Sequence, residues 1–147
     1  PATQAASAGA NVMDDYEEGT FTPTIAGTVT AGSHTYAAQS GLYVKIGQLV
    51  FVNFYCDILT IDGTWAGNVE LRGLPFTSHG SHLSGGISAT VANITSTQLY
   101  MILVSSVSST ALRLIEIISN SYGADVATTA GANRTQIQSN ATYRSAA

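Results

Sequence analysis

The sequence predicts an all-β chain folded as an antiparallel β-sandwich or jelly roll, and three observations support this. Runs rich in Thr, Val, Ile and aromatic residues recur about every ten residues, roughly eight or nine in all, with Gly, Ser, Asp and Pro between them. No segment combines a sustained 3.6-residue apolar period with helix caps, which argues against βαβ units. The 147 residues suffice for one domain with its own core, and two domains are not expected.

Residues 1–13 are mostly Ala, Ser, Gly, Gln and Asn with too little bulk to pack alone, and residues 1–19 are expected to form a neck or linker ahead of a single sandwich domain over 20–147. Thr20 to Thr30 reads as a strand, with Pro23 confining it to an edge or a strand start because proline donates nothing to a ladder. Thr35 to Ala38 and Gly41 to Ile46 are short strands, and Gly47-Gln48 turns the chain into Leu49 to Leu59. Alternation in that last strand puts Val50, Val52, Phe54, Cys56 and Ile58 on one face and Leu49, Phe51, Asn53, Tyr55 and Asp57 on the other. A strand so apolar on both sides is expected to be covered on both, by the second sheet and by a neighbouring subunit. Further strands are expected at Asn68 to Arg72, Ile87 to Ile94, Leu99 to Ser105 and Thr135 to Arg144. Ala111 to Ile118 fits either a helical face or a strand, and its β-branched residues and lack of caps favour the strand.

Charged residues make up only 10% of the chain while 45% are apolar, a surface suited to being covered by copies of itself, so a homo-oligomer is expected over a Ser/Thr-coated monomer. The net charge is −4, and four of the nine carboxylates cluster at Asp14, Asp15, Glu17 and Glu18. The five basic residues, Lys45, Arg72, Arg113, Arg134 and Arg144, are dispersed, so there is no stripe to neutralise phosphates and nucleic acid is not an expected partner. The longest apolar runs, Leu49 to Cys56 and Tyr100 to Val104, fall far short of the roughly 20 residues of a membrane-spanning helix, and no secretory signal is expected in the N-terminal residues. Cys56, the single cysteine, forms no internal disulfide and reads as a small core residue.

The run Asp14-Asp15-Tyr16-Glu17-Glu18-Gly19-Thr20-Phe21-Thr22-Pro23-Thr24, followed by Gly41-Leu42-Tyr43-Val44-Lys45-Ile46-Gly47 and Gly73-Leu74-Pro75-Phe76, resembles the C-terminal, distal β-sandwich domains of bacteriophage tail fibres, tailspikes and tail needles. The resemblance covers residues 11 to 77, and Asn140-Ala141-Thr142-Tyr143-Arg144 looks like the final strand of the same modules. It implies a homotrimer at the tip of a virion appendage, acting outside the cell, attached to upstream parts of the same tail protein and binding a bacterial surface receptor, a glycan or a protein. The alternative it allows is a structural trimerisation cap. Tyr16 and Phe21, with Phe51 and Tyr55 from the twice-apolar strand, are the candidates for trimer or neck packing.

Sugar binding needs aromatic faces against C–H surfaces and neutral polar groups around them. Trp65 with Asp62, Thr64 and Asn68 is the first candidate platform, and Tyr122 with Asn120 and Asp125 the second; a Trp buried in the core is the competing reading. Glycan hydrolysis would need paired carboxylates. Asp57, Asp62, Glu70, Glu116 and Asp125 are not paired by local spacing, and no Gly-x-Ser-x-Gly elbow occurs, so no enzymatic activity is expected. His79 and His82 stand three apart without a visible third ligand, which leaves only metal shared on a symmetry axis; no cofactor is expected.

Overall fold

The computed structural model describes residues 15–80, 87–88, 90–94, 101–105, 108–116, 124–125, 127–128 and 131–146. Two antiparallel sheets face each other, and the described residues contain no α-helix. The first sheet takes β1 (Tyr16–Phe21), β3 (Thr35–Ile46), β4 (Leu49–Thr60), β11 (Gly131–Arg144) and β7 (Thr90–Ile94), in the order β1-β3-β4-β11-β7. The second takes β2 (Thr24–Gly27), β5 (Val69–Arg72), β9 (Ala111–Glu116), β8 (Met101–Ser105) and β6 (Ile87–Ser88), in the order β2-β5-β9-β8-β6, with β10 (Ala124–Asp125) also paired to β9.

The inner face of β4 builds the core as its alternation requires: Val50, Val52, Phe54, Cys56 and Ile58 are all 2% exposed or less. Each such aliphatic or aromatic side chain contributes roughly 1.5–3 kcal/mol by leaving water. They meet Ile25, Val69, Leu71, Leu112 and Leu114 of the second sheet and Ile137 and Tyr143 of β11. Two tyrosines tie the layers by polar bonds inside this apolar packing. The Tyr36 hydroxyl accepts the Ile25 N–H (3.2 Å) and donates to the Ile25 carbonyl (3.0 Å), and Tyr143 does the same at Phe76 (3.3 and 3.0 Å). Burial pushes both phenols up to about 12. It pushes the Cys56 thiol up to about 12 as well, so Cys56 packs and does not react.

The structure redraws several boundaries. The expected Thr20 to Thr30 strand breaks at Thr22-Pro23, where the chain leaves the first sheet after β1 and enters the second at β2. The buried Pro23 serves this crossing through its carbonyl, which accepts from Gln39 Nε2 (2.8 Å). Tyr16 to Gly19, assigned to the neck, instead pair with Ile46 to Tyr43, so Glu17 and Glu18 lie on a sheet edge and the first strand starts at Tyr16. The two short strands at 35–38 and 41–46 are one, β3, which slips register around Tyr36. Ile87 to Ile94 divides between sheets, β6 in the second and β7 in the first. At 111–116 the strand reading holds: Leu112 and Leu114 point inward with the period of two.

Phe21 packs against the core from β1, made possible by Gly41 opposite it. A Cβ on Gly41 would stand 2.6 Å from the Phe21 ring, so the absent side chain is the ring's seat.

Candidate functional surfaces

Three places gather polar or exposed side chains: the loop end around Trp65, the outer face of the second sheet and the outer face of the first.

At the loop end, the Asp62 carboxylate accepts the Ser33 N–H (2.7 Å) and the Thr64 N–H (2.9 Å), and these amides hold its carboxyl below the usual carboxylate range. The Asp62 N–H in turn donates to His34 Nδ1 (3.0 Å). That bond makes Nε2 the protonated nitrogen, and Nε2 is buried with no partner among the described residues. Burial pushes the His34 pKa down against the opposing pull of Asp62. Trp65 is 8% exposed and meets His34 edge-on, 4.8 Å between ring centroids at 86°. Gly32 (φ +81°) lets the loop pass; a Cβ there would stand 2.8 Å from both His34 and Trp65. Trp65 therefore closes the end of the core and offers no free ring face, which removes it as a stacking platform; Asp62 serves as the loop clamp.

On the second sheet the outer face is charged. Val69 and Leu71 turn inward, so Glu70 and Arg72 turn outward, as does Arg113 from β9. The β10 pairing and the Asn68–Ala127 bridge bring two distant sequence candidates together: Asn68 Nδ2 donates to Asp125 Oδ2 at 3.0 Å. Arg113 pairs with the same carboxylate, Arg72 pairs with Glu70 and Arg72 also donates to the Gly27 carbonyl (2.9 Å). The second Asp125 oxygen is buried and lacks a partner among the described residues. Tyr122 and Asn120, expected beside Asp125, lie outside the described residues.

The outer face of the first sheet is different. Leu42 is 56% exposed, Phe51 45%, Leu49 44% and Tyr16 39%, on adjacent strands. A shallow groove of ≈ 260 Å³ lies beside Leu42 and Phe51, lined also by Val44, Asn53, Asn140 and Thr142 among others. The cover expected over this side of β4 is not supplied by any of the described residues. One end of the face is polar. Asp57, 2% exposed, accepts from Arg134 (2.7 Å), Gln136 Nε2 (3.0 Å) and the Tyr55 hydroxyl (3.3 Å), while its other oxygen has no partner among the described residues. Arg134 reaches it from an irregular stretch of β11, its own φ at +65°. Thr135 and Asn93 pin that stretch: Thr135 Oγ1 donates to the Ala132 carbonyl (2.6 Å), and Asn93 Nδ2 donates to the Arg134 carbonyl (2.8 Å). A strained backbone persists only where neighbours hold it in this way.

Of the hydrolase candidates, Asp57, Asp62, Glu70 and Asp125 each accept from nearby cations, side chains or amides, and the Glu116 side chain lies outside the described residues. His79 is half-buried with its N–H on the Arg144 carbonyl (2.8 Å); His82 lies outside the described residues. No group of three or more His, Cys, Asp or Glu side chains is placed to hold a metal among the described residues.

No protein-family model matches the chain, and no curated protein does. Among solved structures, the crystal structure of the Dettilon tailspike protein shares the fold. The TM-score is 0.72 at 14% identity, over 88% of this chain and 24% of that one. The chain thus spans about a quarter of the tailspike's length. The expected sandwich is the observed architecture, and it is one that a phage tailspike contains.

Proposed function

We propose that the chain is the distal module of a bacteriophage tail appendage, a homotrimer that presents a receptor-binding surface to the bacterial cell. The observation that carries this reading is the tailspike-like sandwich extending over most of the chain. The uncovered apolar face of the first sheet supports the assembly part, since patches of this kind mark interaction sites. With that face given to assembly, the second sheet is the side left for a receptor. Its Asn68, Arg113 and Asp125 group supplies amide, guanidinium and carboxylate, the chemistry that grips sugar hydroxyls or an acidic substituent. Three such sites on one rigid head gain avidity through effective concentration.

The same apolar face favours a second reading, a structural cap that registers three chains and binds nothing else. Binding of labelled chain to bacterial cells and to their extracted surface polysaccharides separates the two. Saturable binding that Asp125→Ala and Arg113→Ala abolish, at unchanged particle mass, supports the receptor reading. Binding that survives both removes this face from it, and absence of any binding leaves the cap.

A further inference from the structure

We propose that the outer face of β1, β3, β4 and β11 is where a second copy of the chain docks, with the Glu18 margin of one copy against the Arg144 margin of the next. The inference rests on the assembly reading above and adds the face and its polarity.

Cross-strand register sorts this face into rows. Tyr16, Ile46, Leu49 and Arg144 form one; Glu18, Val44, Phe51 and Thr142 the next; Thr20, Leu42, Asn53 and Asn140 the third. Apolar side chains fill the middle, and opposite charges stand at the two margins. Glu18 accepts from the Tyr16 hydroxyl (2.6 Å) and Arg144 donates to Gln48 Oε1 (2.6 Å); neither has an ion-pair partner among the described residues. Within one copy they cannot meet, because three inter-strand steps of about 4.8 Å separate their strands. That distance exceeds the roughly 8 Å over which physiological salt lets exposed charges act. A neighbouring copy whose β11 margin is set against this copy's β1 margin, the apolar rows of the two adjoining, brings them together.

The groove points to the same occupant. At ≈ 260 Å³ it lies below the roughly 300–1,000 Å³ of small-molecule sites, a size for inserted side chains such as the exposed Leu42, Leu49 or Phe51 of another copy. Edge pairing is the competing geometry for a β protein, and β1 opposes it: Glu17 and Glu18 lie on that edge strand, and like charges keep two such edges apart. Joining the β1 margin of one copy to the β11 margin of another pairs two different patches, the arrangement that closes into a ring.

The test is the solution mass and dissociation concentration of five forms of the full chain: wild type, Leu42→Asp/Phe51→Asp, each single reversal (Glu18→Arg, Arg144→Glu), and the double reversal. All altered side chains are exposed, and circular dichroism checks that each variant folds. The expected result is an assembled wild type, a folded single-chain Leu42→Asp/Phe51→Asp form, single reversals that dissociate at about three- to tenfold higher concentration, and recovery in the double reversal. An assembled wild type whose mass and dissociation are unmoved by Leu42→Asp/Phe51→Asp overturns the face while the assembly reading stands. A double reversal as weak as the singles overturns the polarity. A wild type that is a single chain at every concentration overturns both.

Discussion

The two outer faces of the sandwich are built from strands of the same period and end up opposite in character. On the first sheet, Leu42, Leu49 and Phe51 project into solvent, Leu42 and Phe51 beside a shallow groove, and the charged pair stands at one end, where Asp57 is buried under Arg134. On the second, the outward positions of β5, β9 and β10 include Glu70, Arg72, Arg113 and Asp125, joined as ion pairs at the surface. A single chain gains nothing by leaving half-exposed Leu and Phe beside one another, whereas a charged outer face keeps itself in water. The difference teaches that the two faces suit different surroundings: the charged one suits water, and the apolar one suits the cover that the assembly proposal gives it.

The sharpest contrast is across the thickness of β4. Phe54 is 1% exposed on the inner side and Phe51 45% on the outer. Phe54→Ala should cost about 3–5 kcal/mol of folding stability in urea unfolding, as large-to-small core changes do. Phe51→Ala should cost the folding of a single chain under about 0.5 kcal/mol, its effect showing in assembly instead. Equal losses would mean that the outer face is not free in the single chain.

A smaller effect separates the two faces by their ion pairs. Arg134→Ala leaves the Asp57 carboxylate buried with only Gln136 and Tyr55, a loss of about 1–3 kcal/mol in the same measurement. Arg113→Ala removes a partner that is 44% exposed from a carboxylate that is 19% exposed, and should cost at most about 1 kcal/mol. A reversed order would place the buried pair on the second sheet.

The smallest effect belongs to neither face but to the loop end. His34 titrates below its ordinary 6.5 because it is buried, so the unfolded chain takes up the proton first as the pH falls. The stability tied to neutral His34 is therefore fully present above about pH 6.5 and is lost as the pH falls from there through the lower folded value. Protonation also converts Nδ1 from the acceptor of the Asp62 N–H into a donor. Unfolding midpoints should fall over this window, and His34→Gln should flatten the fall; a slope that the substitution leaves intact assigns it to another group.

Much of the fold was legible because it rests on local alternation. The inner face of β4, the strand at 111–116 and the closing strand through Tyr143 all follow from a period of two. What the pattern could not carry is which sheet a strand joins. Pro23 was visible as a break in pairing, but that the break moves the chain between layers depends on partners distant in sequence, Leu71 opposite Ile25 and Gly41 opposite Phe21 among them. Trp65 misled for the same reason: flanked by Asp62, Thr64 and Asn68 it looks like an exposed platform, while the seat that buries it comes from Gly32 and His34 on another loop. Asn68 and Asp125 were readable as polar candidates, yet their meeting depends on the two-residue strand β10, too short to show any period. The outer face of β4 was read as covered by a neighbouring subunit; among the described residues its Leu49 and Phe51 are 44% and 45% exposed.

The central claim is that the first sheet's apolar face is an interface between copies of this chain. Light scattering coupled to size exclusion, on the full chain over a range of concentrations and after detergent without heating, tests it most directly. The account predicts a detergent-resistant mass near three chains that becomes one chain's mass in Leu42→Asp/Phe51→Asp. A wild type that runs as a single chain throughout would contradict it.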